Sequence, residues 1–156
     1  MISRIAPILL AGLMLAVASP AAADHVSVTG TGRHLGADPP FPAIQVHVNA
    51  FADPTGLDPR GRLSADVQNG HSYTGEVTCV NVLGSQATVG IRIVKSSDPA
   101  FVGQGQLWSL VDSSSFGSPD QIAGYPLTPE PPVVCPILVF NVPIVSGNYV
   151  IHAATP

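Results

Sequence analysis

The sequence predicts an all-β domain, a single antiparallel β-sandwich or small β-barrel of about eight strands with one disulfide. Three observations carry this. Apolar and polar residues alternate at period two through most of the chain after residue 24, as half-buried strands require. No window of ten residues there repeats apolar positions at helical spacing, and the 16 Pro and 15 Gly of the chain interrupt most windows. The two cysteines lie in a chain whose start reads as an export signal.

Residues 1–23 form that signal. Arg4 gives a positive start, Ile5 to Ala18 is an apolar run without charge, and Ser19-Pro20 breaks it. Ala21-Ala22-Ala23 then supplies the small-x-small pattern read by signal peptidase. The apolar run is too short for a spanning helix, which needs about 20 residues. No second segment of spanning length follows. Residues 24–156 are therefore expected to be one domain without a membrane span, secreted to the medium or the cell surface.

The strands follow in order. "HVSVTGTG" is the first candidate. "AIQVHVNAF" sets Ile44, Val46, Val48 and Ala50 against Gln45, His47, Asn49 and Phe51. "RLSADVQ" sets Leu63, Ala65 and Val67 against Arg62, Ser64, Asp66 and Gln68. Asn69-Gly70 then marks a hairpin, since both residues tolerate positive φ. The return strand, "SYTGEVTCVNVLG", carries Tyr73, Gly75, Val77 and Cys79 on one face by simple alternation. After a turn at "LGSQ", "ATVGIRIV" places Ala87, Val89, Ile91 and Ile93 together. "GQLWSLVD", the apolar run "PILVFNV" and the closing "NYVIHA" complete the set. The proline-rich "GADPPFP" and "GYPLTPEPPVVCP" read as stiff, extended connections within the domain. The expected core includes Ile44, Val46, Val48, Leu63, Val67, Val77, Val89, Ile91, Ile93, Leu107 and Phe140, with Trp108 most simply a core residue too.

Beyond the signal the chain carries ten acids and five bases, the six Lys and Arg less Arg4. A mildly acidic chain without clustered cations argues against nucleic acid or anionic lipid as a partner. Charged residues make up only 10% of the chain.

Cys79 and Cys135 are expected to form a structural disulfide, because the chain is exported and the cysteine count is even. The bridge would close 56 positions and stabilise the fold by roughly 3–4 kcal/mol on the chain-entropy account. A catalytic thiol would want a nearby histidine. His71 is eight residues along the same strand, about 26 Å away when extended. No CxxC or HxxxH spacing suits zinc, so no metal and no cofactor are expected. The histidines at 25, 34, 47, 71 and 152 form no local pair. Asp66 and Glu76 flank the hairpin on its polar face, offset by about three positions, and read as solvated strand charges rather than a catalytic dyad. Asp98, Asp112 and Asp120 lack the close spacing of a calcium loop. "SSDPAF" and "SSSFGSPDQ" are turn chemistry. No nucleophile elbow, P-loop or HExxH is present.

From "GEVTCVNVLGSQATVGIRIVKSSDPAF" through "LWSLVDSSSFGSPDQI" the chain resembles a loose group of small exported bacterial proteins. The residues concerned are Gly75, Val77, Thr78, Cys79, Gly84, Ser97-Asp98-Pro99, Val111-Asp112 and Pro119-Asp120-Gln121. Cys135 and "GNYVIHA" also look like the group. The resemblance implies an all-β fold and an exported location, and it brings no site residues.

The functional expectation is an exported, non-catalytic β-domain that binds a protein or glycan. Rigid loops and the lack of a catalytic constellation favour it. A barrel carrying a small apolar ligand is the alternative and needs an interior cavity. A hydrolase would need scattered Asp, Glu and His brought together in one cleft.

Overall fold

The structure, a computed structural model, describes residues 25–35, 43–68, 70–139 and 141–154. The expected signal peptide, the "GADPPFP" connection with Phe41, and the expected core residue Phe140 lie outside these residues. The strands are β1 (Val26–His34), β2 (Ile44–Ala52), β3 (Arg60–Val67), β4 (Ser72–Leu83), β5 (Gln86–Ser96), β6 (Gly105–Val111), β7 (Gln121–Gly124) and β8 (Val142–His152). Each pairs antiparallel with the next, and β8 returns to β1, so the sheet closes as an eight-stranded up-and-down barrel. Sandwich and barrel share the same alternation, and the β1–β8 ladder decides for the barrel.

Alternation determines which side chains fill the interior. Val28, Val46, Leu63, Val89, Ile91, Ile93, Leu110 and Ile122 are fully buried there. Large residues sit over glycines on neighbouring strands. A Cβ on Gly32 would lie 2.5 Å from the Tyr149 ring, one on Gly75 2.6 Å from Ile91, and one on Gly124 2.8 Å from Trp108. Such large-over-small pairing fills a narrow barrel with side chains, leaving a packed core in place of a lumen. The apolar side faces in and β2–β5 turn a polar side out, the inverse of a lipid-embedded barrel. Among the described residues no helix is long and apolar enough to cross a membrane.

One extra residue on β4 changes the expected facing. Val77 pairs with Ile91 but Cys79 pairs with Gly90, which leaves Thr78 unpaired as a β-bulge. The bulge turns Cys79 to the outer face and lets Val80, 3% exposed, enter the core. On β6 the interior side is that of Trp108 and Leu110, so Leu107 is only partly buried and is not the core residue expected. Val67 and Ile44 are also only partly buried.

Residues 136–139 of the run "PILVFNV" are not in a strand either. β8 begins at Val142, and Val139 is 89% exposed. Residues 125–139 instead form a strap across the outer face of β4–β6. Thr78 Oγ1 donates to the Pro132 carbonyl at 2.6 Å and Asn81 Nδ2 to the Cys135 carbonyl at 2.8 Å. Ser109 Oγ reaches the Leu138 carbonyl at 3.0 Å, and Gln86 donates to the same oxygen. These side-chain donors occupy carbonyls that a sheet ladder would use, and Pro136 has no N–H to offer. The Cys79–Cys135 disulfide, with an S–S distance of 2.06 Å, ties down the strap. Gly90 and Gly105 leave room for it, since a Cβ on Gly90 would lie 2.5 Å from Cys79 Sγ and one on Gly105 2.6 Å from the Glu130 carbonyl oxygen.

The place expected for that run is taken by β7, a strand of four residues that starts at the end of the "SSSFGSPDQ" segment. It makes only two register pairs with β8, Gln121 with Pro143 and Ile122 with Val142. Beyond them, carboxylates satisfy the β8 edge. Asp120, 4% exposed, accepts from the Tyr149 amide at 2.6 Å and the Ser113 amide at 2.8 Å. Asp112 accepts from the Ile151 amide at 3.4 Å. Asp98 accepts from the Ala100 amide at 2.9 Å and caps the short 3-10 turn Pro99–Phe101. The three acids of the Val-Asp, Pro-Asp-Gln and Ser-Asp-Pro segments are therefore structural anchors for backbone amides.

Candidate binding face

The strap covers part of β4–β6 and carboxylates seal the β7–β8 seam, while the rest of the outer face of β1–β5 is open and polar. Its cross-strand rows follow from the register. One row runs Thr31, His47, Ser64, Thr74 and Lys95. The next runs Thr29, Asn49, Arg62, Glu76 and Arg92. In the first row the short Ser64 and Thr74 lie between the longer His47 and Lys95, which leaves a depression there. An open hollow of about 420 Å³ is lined by Gly30, Thr31, His47, Val48, Asn49, Arg62, Ser64 and Thr74. A neighbouring hollow of about 340 Å³ shares Ser64 and Thr74 and adds Asp66, Ser72, Tyr73, Lys95, Ser96 and Ser97.

The electrostatics of the first hollow are one-sided. Glu76 stands directly across from Arg62, yet its carboxylate pairs with Arg92 at 3.0 Å on the other side. Arg62 makes no ion pair or hydrogen bond among the described residues, and no carboxylate lines its hollow. His47 is positioned by its Nδ1, 2.7 Å from the Thr31 hydroxyl. Its Nε2 is free to face a ligand.

Asp66 and Glu76, weighed as a dyad, are not brought together. Asp66 pairs with Ser72 and Glu76 with Arg62, a register one residue off that of a turn centred on Asn69-Gly70. The hydroxyl–imidazole contact of Thr31 and His47 has half the form of a nucleophile–base pair, but no carboxylate among the described residues pairs with the ring to orient it. Among the described residues no three His, Cys, Asp or Glu side chains are grouped as metal ligands.

A second polar cluster lies inside one end of the barrel. Tyr73 donates to Gln106 Oε1, and Gln106 Nε2 donates to the Tyr125 carbonyl at 2.8 Å. Burial pushes the Tyr73 phenol well above its ordinary pKa, while contacts with Gln106 and Trp108 pull the other way. Trp108 lies close enough to Tyr73 for that influence, but its Nε1 meets no partner in hydrogen-bond geometry. A hydrogen bond weakens steeply when bent or stretched, so the Trp108 N–H has no partner among the described residues. His34, 6% exposed, packs edge-on to Trp108 with ring centroids 6.4 Å apart. Its Nδ1 lies 3.2 Å from the Leu35 carbonyl, which can only accept, so Nε2 carries the lone pair and has no partner. Burial lowers the His34 pKa, outweighing the Leu35 carbonyl, and keeps the ring neutral.

Alternation already puts His47 and Arg62 on polar strand faces. Which of them become neighbours depends on register across four strands, which the alternation leaves free. No family model matches the chain, and no curated protein or solved structure matches it.

Proposed function

We propose that this chain is an exported, non-catalytic β-domain that binds a glycan through the concave outer face of β1–β5. The observation that carries the reading is the hollow at Thr31, His47, Arg62 and Thr74, where an unpaired guanidinium and several hydroxyls converge on open space. Glycans are recognised by such arrays of directed donors and acceptors. The filled interior, with Trp108, Tyr149 and Leu63 fully buried, favours recognition on the outside over carriage of an apolar ligand within. Export is supported by the pattern of residues 1–23 and by the Cys79–Cys135 bridge, which suits an oxidising compartment.

A panel of immobilised neutral and acidic oligosaccharides tests the reading, with Thr74→Tyr as the paired variant. A tyrosine at this strand position fills the hollow without changing charge and suits β-structure. Binding of at least one glycan by the native protein, weakened at least fivefold by Thr74→Tyr, is expected. No glycan binding, or equal binding by the variant, contradicts the proposal.

A further inference from the structure

Resting on that reading, we infer that the Arg62 hollow is built for the carboxylate or sulfate of an acidic sugar within a polysaccharide. The chain's net charge of −4 conceals how its charges are placed. No Lys or Arg occurs after Lys95, so residues 96–156 contribute only acids, and every base of the folded domain lies between Arg33 and Lys95. Within that half, Arg60 pairs with Asp58 at 3.2 Å and Arg92 with Glu76 at 3.0 Å. Among the described residues Arg33, Arg62 and Lys95 form no ion pair, and of these three Arg62 is the one that lines a hollow without a carboxylate. A guanidinium matches a planar carboxylate or a sulfate with two parallel N–H donors, which an ammonium does not. The hydroxyls of Ser64 and Thr74 offer donors beside it that an oxyanion and the adjoining ring hydroxyls of a sugar can use, while the Thr31 hydroxyl is shared with His47 Nδ1.

Two further features separate an acidic polysaccharide from other occupants. No Trp, Tyr or Phe lines the Arg62 hollow, and its one ring is the polar imidazole of His47, so a neutral sugar finds no broad apolar face on which to stack there. The hollow is also open at Ser64 and Thr74 into the second one, where Ser72, Ser96 and Ser97 offer hydroxyls and Asp66 counters Lys95. That second, charge-balanced hollow suits a neutral neighbouring unit. The face therefore has one anion position beside one neutral position, the pattern of a chain in which acidic and neutral sugar units adjoin.

The test is calorimetric titration of the full chain, freed of any signal segment, with three probes: an acidic oligosaccharide (oligogalacturonate or a sulfated oligosaccharide), its neutral counterpart, and inorganic phosphate. The variants are Arg62→Gln, Arg62→Lys and Arg33→Gln, the last removing an equal charge away from the hollow. The inference expects acidic binding that weakens with salt, falls about tenfold in Arg62→Gln, recovers in part in Arg62→Lys, and is unchanged in Arg33→Gln. Tight neutral binding that Thr74→Tyr abolishes and Arg62→Gln leaves intact overturns the acidic ligand while sparing the binding face. Equal losses in Arg62→Gln and Arg33→Gln overturn it as unspecific attraction. Phosphate binding as tight as the oligosaccharide overturns the polysaccharide source. Failure of every probe, with Thr74→Tyr behaving as the native protein, removes the binding face itself.

Discussion

Replacing Asp120 with asparagine tests how the barrel closes. The Asp120 carboxylate is almost fully buried and holds two backbone amides with its two oxygens, Ser113 at 2.8 Å and Tyr149 at 2.6 Å. Asparagine keeps one acceptor and points an NH₂ donor at the other amide. One hydrogen bond to a charged acceptor is lost, worth about 1.5–3 kcal/mol, and a buried N–H is left facing a donor. Together these cost about 3 kcal/mol, a large share of a small domain's stability. Urea unfolding of the oxidised protein is the assay. With a slope of about 2 kcal/mol per molar, the midpoint should fall by about 1.5 M. Hydrogen exchange should show the loss centred on Tyr149 and its neighbours in β8, where β7 supplies only two paired residues. The exposed Asp66→Asn should leave the midpoint within about 0.3 M, as most surface substitutions do. An Asp120→Asn midpoint as close to native as that, with Tyr149 protection intact, refutes the seam argument.

Two other predictions rest on single contacts. Asp112 is held below the ordinary carboxylate pKa: desolvation opposes this, but the Ser114 hydroxyl and amide, the Ile151 amide and the nearby His152 charge outweigh it. Its folded-state pKa is depressed, so its contribution is present above the unfolded value near 4 and is lost as pH falls through the folded value. The Ile151 protection factor should hold from neutral pH down to 5.5 and should fall in Asp112→Asn at that pH, and protection equal in the variant and the native protein rejects the Asp112 anchor. His34→Leu removes a buried lone pair that has no partner, at the cost of one hydrogen bond to Leu35. Thermal unfolding should therefore shift by less than about 1 kcal/mol in either direction, and a loss above about 3 kcal/mol would show that Nε2 is engaged.

How far the sequence could be read depends on which physical rule each element obeys. β2, β3 and β5 were legible because their inward and outward residues differ in polarity at every step, as with Val46, Val48 and Ala50 against Gln45, His47 and Asn49. The β4 bulge was not. Tyr73, Gly75, Val77 and Cys79 keep the right parity for one face, and nothing in the residues marks Thr78 as the inserted one. The consequence reaches the disulfide: Cys79 and Cys135 pair as the even count suggests, but on the outside, fastening a strap. That strap also misled on composition. Ile137, Leu138 and Val139 are as apolar as a buried strand, yet they lie in irregular chain, and four less distinctive residues, Gln121–Gly124, form the strand instead. The candidate face is a register property. Arg62 has no ion-pair partner among the described residues because the Glu76 across from it pairs with Arg92 instead, an outcome of pairing across three strands.

The most direct test of the account is an amide chemical-shift map of the ¹⁵N-labelled protein during titration with oligogalacturonate. The account predicts shifts that saturate at Thr31, His47, Arg62, Ser64 and Thr74, with the interior set of Val28, Leu63, Trp108 and Tyr149 unmoved. Saturating shifts confined to Trp108, His34 and the interior strand residues would place the ligand inside the barrel and contradict the claim that this protein works through its outer face.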